Sequence, residues 1–245
     1  MDVFSILPTP LGVSQCPFHK DVKSLILKEI ELRSQSPYTS QNGENLYHFD
    51  YYSLLQQDKF KQFKSWIQEQ GKTFVKDVMG HHLQDTMVVT DSWVNVCHKN
   101  GLQKTHNHNN SFISAVYYVN YTDQHVPTYF VKNELMIPVL GSVTNTSNMS
   151  IPFEKETIYN QVEEVKTNEG DLVLFPSNIL HGYKTNCSDK RITVAMNMMP
   201  NVLSGWDYGW SVQPLTDEQK LETTSKKSNG DIWLYPDILK TNARN

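Results

Sequence analysis

Length, composition and charge already narrow the class of protein. The chain has 245 residues, of which 38% are hydrophobic, 11% aromatic and 20% charged, and its formal net charge is -4. One β-barrel or β-sandwich domain commonly has about 200 to 250 residues, and this composition is that of a globular protein. The negative charge, and the lack of a Lys- and Arg-rich run interleaved with aromatic residues, argue against a nucleic-acid partner.

The sequence also carries no sign of a membrane or secretory protein. No apolar stretch reaches about 18 residues, and residues 1–4 lack the features of a signal peptide. We therefore expect a cytoplasmic protein with no membrane partner. Its cysteines, Cys16, Cys97 and Cys187, form no Cys-x-x-Cys pair and are expected to be reduced structural thiols. The oligomeric state stays open, with a homodimer as one option.

The first third of the chain has the pattern of helices. Residues 3–14 are marked by prolines and are expected to be extended. Residues 21–34 place apolar side chains at helical spacing, and residues 52–79 repeat this pattern, with a break at Gly71 as one option. We interpret the region of about 20–80 as helical support for a β-rich core.

From residue 86 onward the pattern changes to that of short strands. We predict strands at 87–89, 92–96, 112–120, 128–131, 171–175 and 190–199, and an insertion between strands at 138–152. Residues 1–210 are predicted to form a single domain with a β-core at about 86–200, and residues 211–245 a C-terminal tail of unknown role. The implied architecture is two helices against a β-sandwich.

Two histidines, His106 and His108, lie just before the predicted strand at 112–120. In an extended backbone, residues i and i+2 point to the same face, so both imidazoles can approach one metal ion. The alternative is a polar loop whose histidines hydrogen-bond to their neighbours, because one such pair among nine histidines is weak evidence by itself.

The predicted strand at 190–199 separates polar from apolar side chains. Arg191, Thr193 and Asn197 share one face, and the apolar residues on the other are Ile192, Val194, Met196 and Met198. A polar face inside a barrel normally lines a ligand site, whereas an edge strand facing solvent would give the same alternation.

The motifs and their order resemble the 2-oxoglutarate/Fe(II) oxygenase superfamily, and within it the His-x-His-x-Asn-Ser subfamily. The matching motifs are Trp93-Val94-Asn95, residues 106–111, Tyr117-Tyr118, Phe175-Pro176-Ser177, His181 and Arg191. Residues 3–10 also resemble the start of such proteins, and the resemblance extends with gaps to about Pro200. It implies a mainly β fold with N-terminal helices and a double-stranded β-helix core of the jelly-roll, cupin-like kind.

The resemblance also implies Fe(II) as cofactor and 2-oxoglutarate as cosubstrate. His106 and His181 correspond to iron ligands. His108 stands where most of the superfamily has Asp or Glu, so the expected metal site is a variant with three imidazoles.

Other residues correspond to the 2-oxoglutarate site of the superfamily. Arg191 takes the place of the residue that binds the remote carboxylate, because a planar guanidinium fits a carboxylate with two parallel hydrogen bonds. Thr193 takes the hydroxyl position of the Arg-x-Ser/Thr pair, and Tyr118 lies where relatives offer a phenol. Asn95 and Asn197 are expected to contribute to the same binding site, and the full set of candidates for the cavity wall is Asn95, Lys104, Asn110, Ser114 and Asn197.

The implied activity is hydroxylation of an unactivated C–H bond, with conversion of 2-oxoglutarate to succinate and CO2. The substrate would be a small molecule or a peptidyl residue, and it stays unidentified because substrate contacts lie on variable loops. One alternative is a cupin-like three-His dioxygenase without 2-oxoglutarate, in which Arg191 binds the carboxylate of the substrate. Another is a non-catalytic jelly-roll binding module. Cosubstrate dependence and metal content distinguish the three.

Overall fold

The computed structural model describes residues 9–33, 38–39, 43–49, 54–109, 111–131, 162–204 and 209–212. The expectations for residues 3–8, for Asn110, for the insertion at 138–152 and for the tail beyond residue 212 lie outside these ranges. Within them, none of the helices is both long enough and apolar enough to span a membrane.

Two helices precede most of the strands, as the sequence predicts. Helix α1 is His19–Arg33 and α2 is Lys61–Thr73. Two 3-10 turns, Leu54–Gln56 and Asp58–Phe60, lead into α2, and a π-helical turn, Phe74–Val78, continues it.

A break at Gly71 does not occur, because α2 runs through this residue. Gly71 is buried, and a Cβ atom there would lie 3.1 Å from the side chain of Met198 and 3.4 Å from that of Ile113. The glycine therefore allows close packing of the helix on the sheet.

Twelve strands are present in the described residues. They are β1 Gly12–Gln15, β2 Tyr38–Thr39, β3 Gly43–Phe49, β4 Met87–His106, β5 Ile113–Asn120, β6 Tyr129–Val131, β7 Val162–Glu164, β8 Asp171–Pro176, β9 Leu180–Tyr183, β10 Arg191–Pro200, β11 Val202–Ser204 and β12 Gly209–Ser211. Every predicted strand is found, but the two predicted at 87–89 and 92–96 are parts of the 20-residue β4. The sequence patterns did not predict β2, β3, β7, β9, β11 or β12.

Ten strands form one antiparallel sheet in the order β1-β8-β5-β10-β4-β9-β6-β7, with β3 beside β4 and β2 beside β3. The first half of β4 pairs with β10, where Cys97 lies opposite Arg191. Its last residues pair with β9, where His106 lies opposite His181. The sheet curls because β4 serves both sets of partners, and the mainly β prediction is confirmed.

The two faces of the sheet have different environments. The four apolar residues of β10, Ile192, Val194, Met196 and Met198, belong to the cluster that also contains buried residues of both helices, which confirms their prediction as core. A second apolar cluster lies on the opposite, inner face and includes Tyr118, Phe130 and Phe175. Arg191, Thr193 and Asn197 are buried on the inner face, so β10 is not an edge strand facing solvent.

Candidate active site

Three histidines converge at the end of β4. His106 is the last residue of β4, His108 follows two residues later, and His181 lies opposite His106 on β9. One nitrogen of each imidazole lies within 4.8 Å of the other two, and the ring centroids of His106 and His181 are 4.4 Å apart. Within the described part of the chain, no carboxylate belongs to this group.

Backbone carbonyls fix the orientation of two of these rings. His106 Nδ1 lies 2.9 Å from the carbonyl oxygen of Lys104, and His181 Nδ1 lies 3.0 Å from that of Ile179. A carbonyl oxygen can only accept, so each Nδ1 carries the proton and donates. The lone pair is then on Nε2, as in metal-binding histidines whose other nitrogen donates to a backbone carbonyl.

Two of the candidate ligand nitrogens are spaced like two ligands of one metal ion. The Nε2 atoms of His108 and His181 are 3.3 Å apart. Two nitrogens about 2.1 Å from a metal and separated by about 90 to 110° lie about 3.0 to 3.4 Å from each other. This donor set therefore fits a divalent transition metal such as iron.

Burial keeps the three imidazoles neutral. It lowers the pKa of His108 to about 4, with a further contribution from His106 nearby. It also holds the pKa of His181 well below its usual value and lowers that of His106. Metal binding at neutral pH therefore displaces no proton from these rings.

A buried guanidinium lies on the same inner face. Arg191 is 1% exposed, its Nε donates to the Val126 carbonyl at 3.0 Å, and an Nη donates to Thr128 Oγ1 at 2.8 Å. The guanidinium carbon lies 4.2 Å from the ring centroid of Tyr183. None of its partners in the described residues is an anion.

The central part of the chain matches one family of known proteins. The model of the family described as "Putative 2OG-Fe(II) oxygenase" matches residues 91–197, which include all three histidines and Arg191. This segment is similar to the 2OG-Fe(II) oxygenases. The superfamily predicted from the motifs is thus confirmed, while the His-x-His-x-Asn-Ser subfamily stays a prediction.

Several solved structures share the fold. HygX from Streptomyces hygroscopicus, with nickel, 2-oxoglutarate and hygromycin B bound, is 13% identical and has a TM-score of 0.53, with 78% of this chain and 83% of that chain covered. A prolyl-4-hydroxylase from Pseudomonas putida is 11% identical, with a TM-score of 0.51 and coverage of 77% and 92%. The epimerase SnoN from nogalamycin biosynthesis is 10% identical, with a TM-score of 0.54 and coverage of 79% and 78%.

These neighbours confirm the double-stranded β-helix core. A search of curated proteins found no match. The family uses Fe(II) and 2-oxoglutarate, as the cofactor prediction stated.

The other candidates for the cosubstrate site lie on β10 and on the two strands beside it. The Tyr118 phenol donates to Thr128 Oγ1 at 2.7 Å, the same oxygen that Arg191 contacts. Thr193 lies opposite Tyr118 on β5 and opposite Asn95 on β4. Asn95 Oδ1 accepts a hydrogen bond from His48 Nδ1 at 2.5 Å.

The remaining candidates divide into buried and exposed residues. Ser114 and Asn197 are buried and hydrogen-bonded to each other at 2.9 Å. The Lys104 side chain is exposed, and it is the backbone carbonyl of this residue that contacts His106.

Three further residues contact the candidate residues and were not predicted from the sequence. Tyr183 follows His181 by two residues in a strand, so its spacing could have indicated the shared face. Its hydroxyl is buried beside the Cys97 thiol and makes no conventional hydrogen bond within the described residues. Thr128 and His48 gave no sequence signal, because only the sheet brings them to Arg191 and Asn95.

Proposed function

We propose that the protein is a non-haem Fe(II)/2-oxoglutarate-dependent dioxygenase that hydroxylates an unactivated C–H bond of a small molecule or a peptidyl residue in the cytoplasm. The proposal rests on one observation: three neutral imidazoles converge on the same inner face as a buried arginine without an anionic partner. When bound, iron and 2-oxoglutarate supply the oxidising chemistry with O2, and the products from 2-oxoglutarate are succinate and CO2.

His106, His108 and His181 are the proposed metal ligands. The carbonyls of Lys104 and Ile179 hold two of the rings with Nε2 directed away from the backbone. Because all three donors are neutral, the protein adds no negative charge to the metal, unlike a site with two His and one carboxylate.

Arg191 is proposed to bind the remote carboxylate of 2-oxoglutarate. A buried cation without an anion is unfavourable, and a carboxylate would relieve this cost through charge-assisted hydrogen bonds. The Tyr183 ring and Thr128 Oγ1 both contact the guanidinium, and we propose that the two hydroxyls donate further hydrogen bonds to the carboxylate. Tyr118 then acts through Thr128, to which its phenol donates.

The distance between the two parts of the site suits a short dicarboxylate. Tyr183, which contacts the guanidinium, is two residues from His181 on β9. Side chains two residues apart on a strand share a face and are separated by roughly 6 to 7 Å. One end of 2-oxoglutarate can therefore lie at Arg191 while its keto-acid end reaches the metal.

Aromatic side chains shield the His181 side of the site from water. The Phe175 ring lies 4.6 Å from the His181 ring between centroids, and Phe130 lies at 6.0 Å. Exclusion of water strengthens electrostatic interactions within the site and protects reactive species.

The test is anaerobic titration of the protein with Fe(II) and 2-oxoglutarate, followed by addition of O2. We expect the charge-transfer absorption of a chelated keto acid, and then production of succinate. His181→Ala should lose its iron, because the remaining imidazoles cannot close the site. The matched control is His82→Ala, which alters an exposed histidine. Stoichiometric iron in His181→Ala by elemental analysis would overturn the assignment.

A further inference from the structure

Four residues of β10 point to the inner face. We call each of them, together with the residues opposite it on β4 and β5, a row. Arg191 faces Cys97 in the first row and Thr193 faces Asn95 and Tyr118 in the second. The third row is Ala195 with Trp93 and Val116, and the fourth is Asn197 with Asp91 and Ser114.

The candidate metal site lies beside the third row. The Trp93 ring of the third row lies 5.8 Å from the His108 ring between centroids. Arg191 lies towards one end of the face, where the proposed cosubstrate site is. Asp91 lies beyond Trp93 at the other end, where the proposed cosubstrate does not reach.

Asp91 is a partly buried carboxyl without a positively charged partner among the described residues. The Thr90 hydroxyl donates to its Oδ2 at 3.1 Å, and the Asn197 side chain forms a second hydrogen bond. Burial raises the pKa of this carboxyl, because its ionised form is poorly solvated.

Neighbouring groups hold Asn197 in place. Its Oδ1 lies 2.9 Å from Ser114 Oγ, which also lies 2.9 Å from Ser177 Oγ. Asn197 is 7% exposed and Ser114 is 1% exposed. Asp91 therefore belongs to a hydrogen-bonded group of polar side chains.

We infer that the prime substrate carries an ammonium or guanidinium group that pairs with Asp91 next to the Trp93 indole. This inference rests on the proposed function. A desolvated carboxylate gains most from a cation, because charge-assisted hydrogen bonds are about twice as strong as neutral ones. Trp is also the aromatic side chain that attracts cations most strongly. Asp91 and Trp93 together should therefore favour positively charged substrates over neutral ones of the same size.

The test measures binding of small probes to the anaerobic complex of the protein with Fe(II) and 2-oxoglutarate. The probes are n-butylguanidinium and n-butylammonium, with n-butylurea and n-pentanol as neutral analogues, and the readout is perturbation of the charge-transfer absorption. We expect the cations to bind about tenfold or more tightly than the neutral analogues, as one charge-assisted hydrogen bond predicts.

Asp91→Asn should remove this preference while the complex with Fe(II) and 2-oxoglutarate still forms. The matched control is Glu69→Gln, which removes an exposed negative charge on α2 and should keep the preference. If the wild-type complex does not form, the proposed function itself fails. If it forms, three results overturn only the inference: no cation binds, cations and neutral analogues bind equally, or the preference survives in Asp91→Asn. Weaker binding of iron in Asp91→Asn with an unchanged preference also overturns it, because Asp91 then acts on the charge of the metal.

Discussion

At the scale of single residues, His108 is the position where this chain departs from most of its superfamily. Its Nε2 lies 3.3 Å from that of His181, as expected for two ligands of one ion. An imidazole in place of a carboxylate leaves the metal with one more unit of positive charge. The identity of this ligand can therefore be tested by substitution.

We predict that His108→Asp retains iron and that His108→Ala loses most of its affinity. Aspartate restores the common set of two His and one carboxylate, whereas alanine removes a donor. The measurement is the Fe(II) dissociation constant of wild type and both variants. Alanine should weaken binding by more than the roughly 10- to 100-fold typical of residues that only support a ligand. Near-identical constants for all three proteins would show that His108 does not bind the metal.

Arg191→Gln should raise the 2-oxoglutarate concentration for half-saturation by about two to three decades. Breaking a desolvated charge pair costs roughly 3 to 5 kcal/mol, although glutamine keeps part of the hydrogen bonding to Val126 and Thr128. Arg191→Lys keeps the positive charge but lacks the planar guanidinium. Its half-saturating 2-oxoglutarate concentration should therefore lie between those of wild type and Arg191→Gln. Succinate production that saturates at the wild-type concentration in Arg191→Gln would show that Arg191 does not bind the cosubstrate.

At the scale of elements, the helices stabilise the sheet without entering the site. Phe63 and Ile67 of α2 are buried in the same cluster as the apolar face of β10. The opposite face of β10 carries Arg191 and Thr193. Alternate residues of β10 therefore either pack in the core or lie at the candidate binding site.

We therefore predict that Ile67→Ala lowers the free energy of unfolding by about 2 to 5 kcal/mol, because it creates a cavity in a fully buried part of the core. Urea unfolding of the metal-free protein measures this change. Leu32→Ala is the control, since Leu32 is 76% exposed and its loss should cost less than about 0.5 kcal/mol. Iron affinity of the folded Ile67→Ala protein should equal that of wild type, and a large decrease would contradict the separation of the two faces.

At the scale of the whole molecule, the metal site should make the stability of the metal-free protein depend on pH. The pKa of His108 is about 4 in the folded chain, against about 6.5 in an unfolded one. The unfolded chain therefore binds more protons between these values, so the free energy of unfolding rises with pH there. The contribution of neutral His108 to the free energy of unfolding is complete above about pH 6.5 and is lost as the pH falls towards about 4.

His108 alone should lower the free energy of unfolding by about 2 kcal/mol when the pH falls from about 7.5 to about 5. His181 and His106 change stability in the same direction, because burial also lowers their pKa values. Urea unfolding of metal-free wild type and His108→Asn at both pH values measures the effect. The variant should lose less stability than wild type on acidification, and an equal loss in both would contradict a neutral buried His108.

Features that depend on local order along the chain can be predicted from the amino-acid sequence alone. The two helices, the strand at β10 and its apolar face follow from the spacing of apolar residues, because each periodicity belongs to one backbone geometry. The motifs around His106, His181 and Arg191 likewise indicated the superfamily, since they occur in the order that its members share.

Contacts between residues far apart in the chain become known only from the way the strands pair in the folded protein. The sheet brings Thr128 to Arg191 and His48 to Asn95, and it leaves Asp91 without a positively charged partner among the described residues. It also shows that Gly71 packs against Met198 instead of ending a helix. These features depend on which strands pair and in which register, and a pairing between distant segments leaves no periodic signal in either segment alone.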